Sequence, residues 1–377
     1  MTEIRKVEGS RKVLKEFVRF AIRLYRGNPY YVPPIIKSEI DILDEQVNPS
    51  FDFCEAAFFM AYRDGEPVGR IAGFINRSAN EKFGEGQCRF GFVDFVDDEE
   101  VSRSLLDAVS RWGKEKGMNV LMGPMGMTDL DYEGCLIEGF DQLPTSVTLY
   151  NYPYYPKHFE HYGLKPDMYS REYRIECPNE MLDKYRKVAD LIATRYQLRA
   201  VKDLSAKHIV NTWGQKLFAL LNEAYAPLYG FTELTPRQID YYINLWLPQV
   251  RLDLIRLVVD KDDNLVAFGI SCPSLSRAQQ RAKGSMWPFG WMHLANAMYR
   301  KGGTDTLDLL LIAVRPDMQG KGVHALIFAE ILEEAIKNGF HWVESNPELE
   351  SNQKVQQMWK NLNHTCHTRR CFYRKDI

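Results

Sequence analysis

The sequence predicts an α/β (α+β) protein built as two tandem halves. Three observations carry this reading: a length of 377 residues, more than one ordinary core holds; a strand–helix order that occurs twice; and a helical stretch ahead of each copy. In the first half, Arg11–Arg26 is the leading helical stretch. Ala57–Phe74 then reads as a hairpin turning at Asp64-Gly65, and Phe90–Val96 as a third strand. An amphipathic helix follows, with Val101, Leu105, Leu106, Val109 and Trp112 on one face and Gly117 at its end. A fourth apolar strand, Asn119–Met122, runs into Gly123-Pro124.

The second half repeats the order. Gly214–Tyr229 is helical, and Leu254–Val259 and Leu265–Ile270 form a hairpin through Lys261–Asn264. The long strand Leu307–Val314 is apolar except for Asp308, and a helix from about Gly322 to Asn338 is capped by Gly339. His341–Glu344 is a further strand. The linker falls near Glu176-Cys177-Pro178-Asn179, giving domains of residues 1–178 and 179–377. Two stretches break the symmetry: the Gly- and Met-rich run Met122–Gly134, and Ser285–Met292, which carries Trp287, Phe289 and Trp291 inside an insertion. The latter reads either as a packed satellite element or as a lid or acyl-chain wall, since Trp and Met make adaptable apolar surface.

Composition narrows the function classes. A formal net charge of -2 gives no electrostatic case for a nucleic-acid partner. Met1–Lys6 opens no apolar leader, and no uncharged apolar run reaches membrane-spanning length. Seven scattered cysteines, an odd number, point to a reducing cytoplasm over a disulfide framework. His364, Cys366, His367 and Cys371 lie close in sequence, but their spacing matches none of the usual zinc arrangements and strand alternation splits them between faces. No metal is expected.

The chemistry concentrates in Val314–Val323, directly after a buried strand and opening a helix. A glycine-rich strand-to-helix turn lets backbone N–H groups converge on an anion, and the helix N-terminus adds positive partial charge. Gly320 and Gly322 remove side chains that would hold a pyrophosphate away, and Lys321 adds a mobile cation. The plainer alternative is a tight turn that needs two glycines for its geometry. The spacing is not that of a P-loop.

This run resembles the acyl-CoA-binding motif Q/R-x-x-G-x-G/A of the GNAT superfamily: Gln319 and Gly322 match, and His324 stands where Gly or Ala is usual. Asn352 and Leu362 match a second motif of that family, with Val355 a conservative departure and Trp359 in place of a frequent Tyr acid. Phe159–Leu164 is similar to the same motif in the first half. The resemblance implies two GNAT-like domains, each a mixed, mostly antiparallel sheet flanked by helices. It implies an acetyl-CoA or longer acyl-CoA cosubstrate, with the pyrophosphate on the amides of Gln319, Gly320, Lys321, Gly322, Val323 and His324. The pantetheine arm would follow the splayed strand end Ile312, Ala313 and Val314, with Asn352 and Trp359 nearby. The first half has Asp97-Asp98-Glu99-Glu100 where the loop would stand, and four carboxylates without a glycine repel a pyrophosphate. That half is expected to shape the acceptor side.

The reading is therefore transfer of an acyl group from a CoA thioester to a small-molecule or lipid-like amine. Trp359 cannot relay a proton, because an indole N–H only donates. Glu344, ending a strand, is the candidate base, weighed evenly against a structural pairing with an Arg; Tyr373 is the reserve candidate for protonating the leaving thiolate. Two other readings are a non-catalytic acyl-CoA-binding or sensing protein, suggested by the absent Tyr, and a Fem-type aminoacyl transferase, disfavoured by the lack of basic excess. Acceptor identity, acyl length and oligomeric state are not set by the sequence.

Overall fold

The computed structural model describes residues 1–8, 10–181, 183–201, 205, 208–246, 250–352, 356–359 and 362–377. Val355 lies outside them. Strands are β1 (Glu3–Lys6), β2 (Cys54–Arg63), β3 (Glu66–Asn76), β4 (Gln87–Phe95), β5 (Val120–Gly123), β6 (Cys135–Glu138) and β7 (Lys165–Glu176). They continue with β8 (Arg199–Ala200), β9 (Ile255–Val259), β10 (Leu265–Pro273), β11 (Thr306–Val314), β12 (Trp342–Glu344), β13 (Glu348–Leu349) and β14 (His364–Asp376). Helices are α1 (Arg11–Leu24), α2 (Ile36–Leu43), α3 (Arg77–Phe83), α4 (Glu99–Glu115), α5 (Tyr155–His161) and α6 (Asp183–Tyr196). Then come α7 (Gly214–Tyr225), α8 (Pro236–Trp246), α9 (Ser276–Ala282), α10 (Gly290–Tyr299) and α11 (Val323–Asn338).

The chain forms two compact units. Unit 1 is Met1–Arg171 with Ser276–His293 and His367–Ile377; unit 2 is Glu172–Leu275 with Leu294–Cys366. Sequence reasoning places one boundary near residue 178 and keeps everything after it together. The structure instead gives two later segments, the one holding α9 and the one holding most of β14, to unit 1.

In unit 1 the order β1-β2-β3-β4-β5-β14 is antiparallel except for β4 and β5, which run parallel from Gln87↔Val120 to Arg89↔Met122. The parallel pair follows from the helix that crosses between them. That helix, α4, lays Val101, Leu105, Leu106 and Val109 on the sheet. Glycines on β3 allow its close approach: a Cβ on Gly69 would stand 2.7 Å from Leu105, and one on Gly73 2.9 Å from Val109. β14 adds its C-terminal residues beside β5, with Tyr373↔Gly123 in register.

Unit 2 repeats the plan. The order β7-β12-β11-β10-β9-β8 is antiparallel except for β11 and β12, which α11 connects as a parallel pair. The core gathers Val258, Val266, Leu307, Ile327, Ile331, Leu332 and Val343. A Cβ on Gly269 would stand 2.7 Å from Ile331, so β10 admits α11 as β3 admits α4. Among the described residues no helix is long and apolar enough to cross a membrane.

Candidate active site

The site of unit 2 begins where two parallel strands part. β11 and β12 pair only at Thr306↔Trp342, Leu307↔Val343 and Asp308↔Glu344. Beyond Asp308, β11 continues to Val314 against β10 alone on its other side, through Ala267↔Val314. A bulge interrupts that ladder: Ser271 faces Leu309 and Ile270 faces Leu311, so Leu310 has no opposite residue. Such an extra residue shifts the alternation of the backbone. Before the bulge, Thr306 O accepts from Ser274 N–H; after it, Arg315 N–H donates to Val266 O. The peptide groups facing β10 are thus even-numbered before the bulge and odd-numbered after it. Leu309, Leu310, Ile312 and Val314 turn theirs to the open edge.

Side chains close the carbonyls on that edge. Asn346 Nδ2 donates to Leu310 O at 2.9 Å, Tyr225 O–H to Ile312 O at 3.0 Å, and Gln319 Nε2 to Val314 O at 3.1 Å. Beside the edge lies a cavity of about 190 Å³, lined by Tyr225, Leu309–Ile312, Phe328, Ser345–Leu349, Asn352, Met358 and Trp359 among others. All of these belong to unit 2.

The cavity contains a carboxyl group that sequence reasoning passed over. Trp359 is 2 % exposed, packs edge-on to Phe328, and its Nε1–H donates to Glu348 Oε1 at 2.9 Å. The other oxygen, Oε2, is buried and without a hydrogen-bond partner among the described residues. Burial pushes the Glu348 carboxyl up to about 7, with Trp359 and then the Ser345 hydroxyl working in the opposite direction. A carboxyl poised there exchanges protons near neutrality. The signal available in sequence was slight: Glu348 stands in an irregular Asn346-Pro347-Glu348 stretch with no periodicity.

Glu344 is buried too, on β12, but Arg174 of β7 hydrogen-bonds it. The structure thus places it in the Arg pairing that was weighed against the base role. Its neighbour Asp308 is fully buried, and burial, then the charge of Glu344, pushes its carboxyl well above the ordinary range. Asp308 was visible in sequence as the lone acid in an apolar strand.

The loop Arg315–Gly322 follows β11. Gln319 N–H turns back to Arg315 O and Pro316 O, at 3.2 and 3.3 Å, and Lys321 N–H to Met318 O at 3.3 Å. Gly320 and Gly322 adopt φ of 73° and 86°, the left-handed region that favours glycine. A Cβ on Gly320 would meet open space; one on Gly322 would come 3.0 Å from Ile192 of α6. Gly322 therefore answers to helix packing as well as to turn geometry. It is the N-cap of α11, whose first turn holds no acid and no side-chain cap. Val323 is buried, and burial pulls the half-buried His324 imidazole below its ordinary range. Lys321 is exposed, its Nζ 5.7 Å from the Tyr196 ring centroid.

The expected residues are thus distributed as follows. Ile312, Asn352 and Trp359 line the cavity; Ala313 is buried with its peptide toward β10; Val314 and Gln319–His324 form the adjoining strand end and turn. Tyr373 is placed differently. It lies in the core of unit 1, 2 % exposed and edge-on to Phe159, and is not among the residues of the unit 2 cavity. The physical reason is that β14 ends beside β5. Trp287, Phe289, Trp291 and Met292 have exposed side chains, and the unit 2 cavity includes none of them.

No family model matches the chain. It is 25 % identical over 371 residues to Protein YghO of Escherichia coli K12, covering 97 % of this chain and 93 % of that one. It is 24 % identical over 359 residues to a protein of Caulobacter vibrioides named bacterial ceramide synthase, covering 93 % and 92 %. Among solved structures, a tandem GNAT protein from the clavulanic acid biosynthesis pathway superposes with a TM-score of 0.58 at 12 % identity, covering 99 % of this chain and 98 % of that one. A GCN5-related N-acetyltransferase from Sphaerobacter thermophilus superposes at 0.51 and 12 % identity, covering 100 % and 95 %. The fold is a tandem GNAT fold.

Proposed function

We propose that the protein transfers an acyl group from a coenzyme A thioester to an amine, with the reacting groups in unit 2. The observation that carries this reading is the open backbone edge of β11 beside a cavity, continuing into a glycine-rich turn and an uncapped helix N-terminus. With the Leu310, Ile312 and Val314 carbonyls held by side chains, the edge offers an extended pantetheine arm the amide donors of a strand. The amides of Gly320 and Gly322–His324, with Lys321, suit a pyrophosphate; those of Gln319 and Lys321 are engaged within the turn.

The thioester carbonyl would lie by the bulge, where the Leu310 and Ile312 amides are turned toward the edge and can stabilise developing negative charge on its oxygen. Glu348 accepts a proton from the amine as its nitrogen attacks the carbonyl carbon. A C–N bond forms, the C–S bond breaks, and the CoA sulfur leaves as thiolate to be protonated from solvent. Trp359, unable to relay a proton itself, fixes the carboxylate that can. Glu344, held by Arg174, is the second candidate for the base.

Among amines, a long-chain amino alcohol is the acceptor class to test first, because one relative is named a ceramide synthase and a ceramide is the amide of such an amine. The test is CoA release from acetyl-CoA and from long-chain acyl-CoA against a panel of polar and long-chain amines. Release with at least one pair supports the reading. Tight CoA binding in calorimetry without release from any pair would return the protein to a sensing role.

A further inference from the structure

We propose that the segment Ser276–His293 of unit 1 is a docking surface for an anionic lipid bilayer. Among the described residues, this is where large apolar side chains gather in solvent. Trp287 is 79 % exposed, Phe289 66 %, Met292 50 %, Trp291 47 % and Met286 39 %. Elsewhere the exposed large apolar residues stand singly, such as Val13, Val47 and Phe83, or as a pair, Val188 and Leu191 on α6.

The segment is held rigidly from its inner side. Gly284 O accepts from Ile36 N–H at 2.9 Å, Gln280 Nε2 donates to Pro29 O at 2.8 Å and Tyr31 O at 3.1 Å, and Ser276 Oγ donates to Pro144 O at 2.7 Å. Gly284 is wedged against Ile22 and Ile36, leaving no space for a side chain there. The turn above it is closed by Trp291 N–H to Met286 O at 2.9 Å and by Ser285 Oγ to Trp287 O at 2.8 Å. The aromatic side chains therefore project from a fixed loop, and their insertion would not require the backbone to order first.

The charge around them selects the partner. Arg277 and Arg281 are one turn apart on α9, both exposed with Lys283, while Ala278 and Ala282 face inward. Residues 264–304 contain no Asp or Glu, although the whole chain carries a formal net charge of -2. Tryptophan and phenylalanine ringed by Lys and Arg is the composition that partitions to the headgroup boundary of a bilayer with anionic lipids. A second copy of this chain fits poorly, because a two-fold contact through this surface would set the same cations against one another. The inference stands independently of the acyl-transfer reading.

The test is sedimentation of the full chain with vesicles of phosphatidylcholine alone and with one third phosphatidylglycerol, read beside size-exclusion with light scattering. Binding is expected to the anionic vesicles, weaker to neutral ones and weakened by salt. Lys283→Ala should weaken binding about fivefold, the effect of about one surface charge. The combined Trp287→Ala, Phe289→Ala, Trp291→Ala variant should lose at least tenfold with an unchanged melting temperature. Trp287→Phe with Trp291→Phe should retain binding. The proposal is overturned by no sedimentation with either vesicle, by equal binding of the triple variant, or by a concentration-dependent dimer or a soluble protein complex that the triple variant abolishes.

Discussion

The two units meet the same design problem, a strand running through a turn into a helix beside a parting pair of parallel strands, and solve it oppositely. In unit 1 the N-terminus of α4 is filled by the chain's own acids. Asp98 accepts from Glu100 N–H and Val101 N–H at 2.9 and 3.3 Å, and Arg63 binds it at 2.7 Å. His158 pairs with Asp97, His161 with Glu99, and Thr2 N–H donates to Glu100. The gap beyond Arg89↔Met122 is filled as well: Met125 N–H donates to Phe90 O at 2.8 Å, and Met125 and Met127 are buried. A Cβ on Gly91 would stand 2.4 Å from Met125 O, so that strand carries a glycine where the plug presses on it. In unit 2 the corresponding helix end has neither cap nor acid, and the gap is the cavity. Two copies of one plan thus separate into a sealed half and an open half, and the Met-rich stretch that broke the sequence symmetry is the seal.

If the open half does the chemistry, the largest effect is expected from its poised carboxyl. Glu348→Gln should lower kcat by about 10² to 10⁴, the range for losing a positioned base. In the parent the rate should rise as pH increases through about 7, where Glu348 loses its proton, and this limb should vanish in the variant. The linkage sign can be checked separately. The folded state holds this proton more tightly than the unfolded chain, so the stabilisation is complete at low pH and fades as pH rises through 7. Glu348→Gln, neutral throughout, should therefore gain stability relative to the parent above pH 7. A loss of less than about tenfold in kcat would move the base to Glu344, whose Gln variant is the paired measurement.

Next in size is an exchange of character between the two helix ends. His324→Glu with Ala325→Glu gives α11 the acidic first turn of α4. CoA affinity should fall about tenfold to hundredfold by calorimetry, as two carboxylates meet the pyrophosphate, while the melting temperature holds because acids suit a helix N-terminus. This variant is cleaner than Gly322→Val, where the positive φ and Ile192 would add strain unrelated to the ligand. Unchanged affinity would break the comparison at its central point. A smaller shift is expected from Trp359→Phe. Removing the indole donor takes away the larger of the two hydrogen bonds that hold the carboxyl down, leaving that of Ser345, so the rising limb of the pH–rate profile should move to higher pH. A limb that stays near 7 would separate Trp359 from Glu348 functionally.

What was legible in sequence follows from how local each signal is. The hairpins, the parallel-strand helices and the turn around Gly320 and Gly322 are set within a few residues by alternation, 3.6-residue spacing and glycine chemistry, and they appear where expected. Glu348 was not legible, because its proton affinity is raised by burial and restrained by Trp359, eleven positions away across an irregular stretch. The final strand misled for a similar reason. His364–Asp376 has a strand pattern, but nothing in that pattern says which sheet its end will join, so Tyr373 was read beside the second unit's chemistry and is found in the first unit's core. The aromatic segment near Trp287 was legible as a break in the symmetry and its exposure was not, since composition reports apolarity and not whether a side chain faces inward.

The smallest expected effect tests whether the seal of unit 1 is electrostatic or steric. Asp98→Ala should cost about 1 kcal/mol through the lost N-cap, read as a fall of a few degrees in the melting temperature of the chain. Adding Glu99→Gln and Glu100→Gln removes three of the four carboxylates at that helix end and leaves Asp97, which His158 pairs. Charge alone would then leave α4 as open to an anion as α11, and a second CoA per chain should appear in calorimetry. We expect none. The Met125 backbone already occupies the Phe90 carbonyl on the strand edge a pantetheine arm would need, and no glycine turn precedes the helix. A stoichiometry of two in the triple variant would show that the acids, and not the Met-rich plug, keep unit 1 empty, and the division between a sealed and an open half would shrink to a difference in charge.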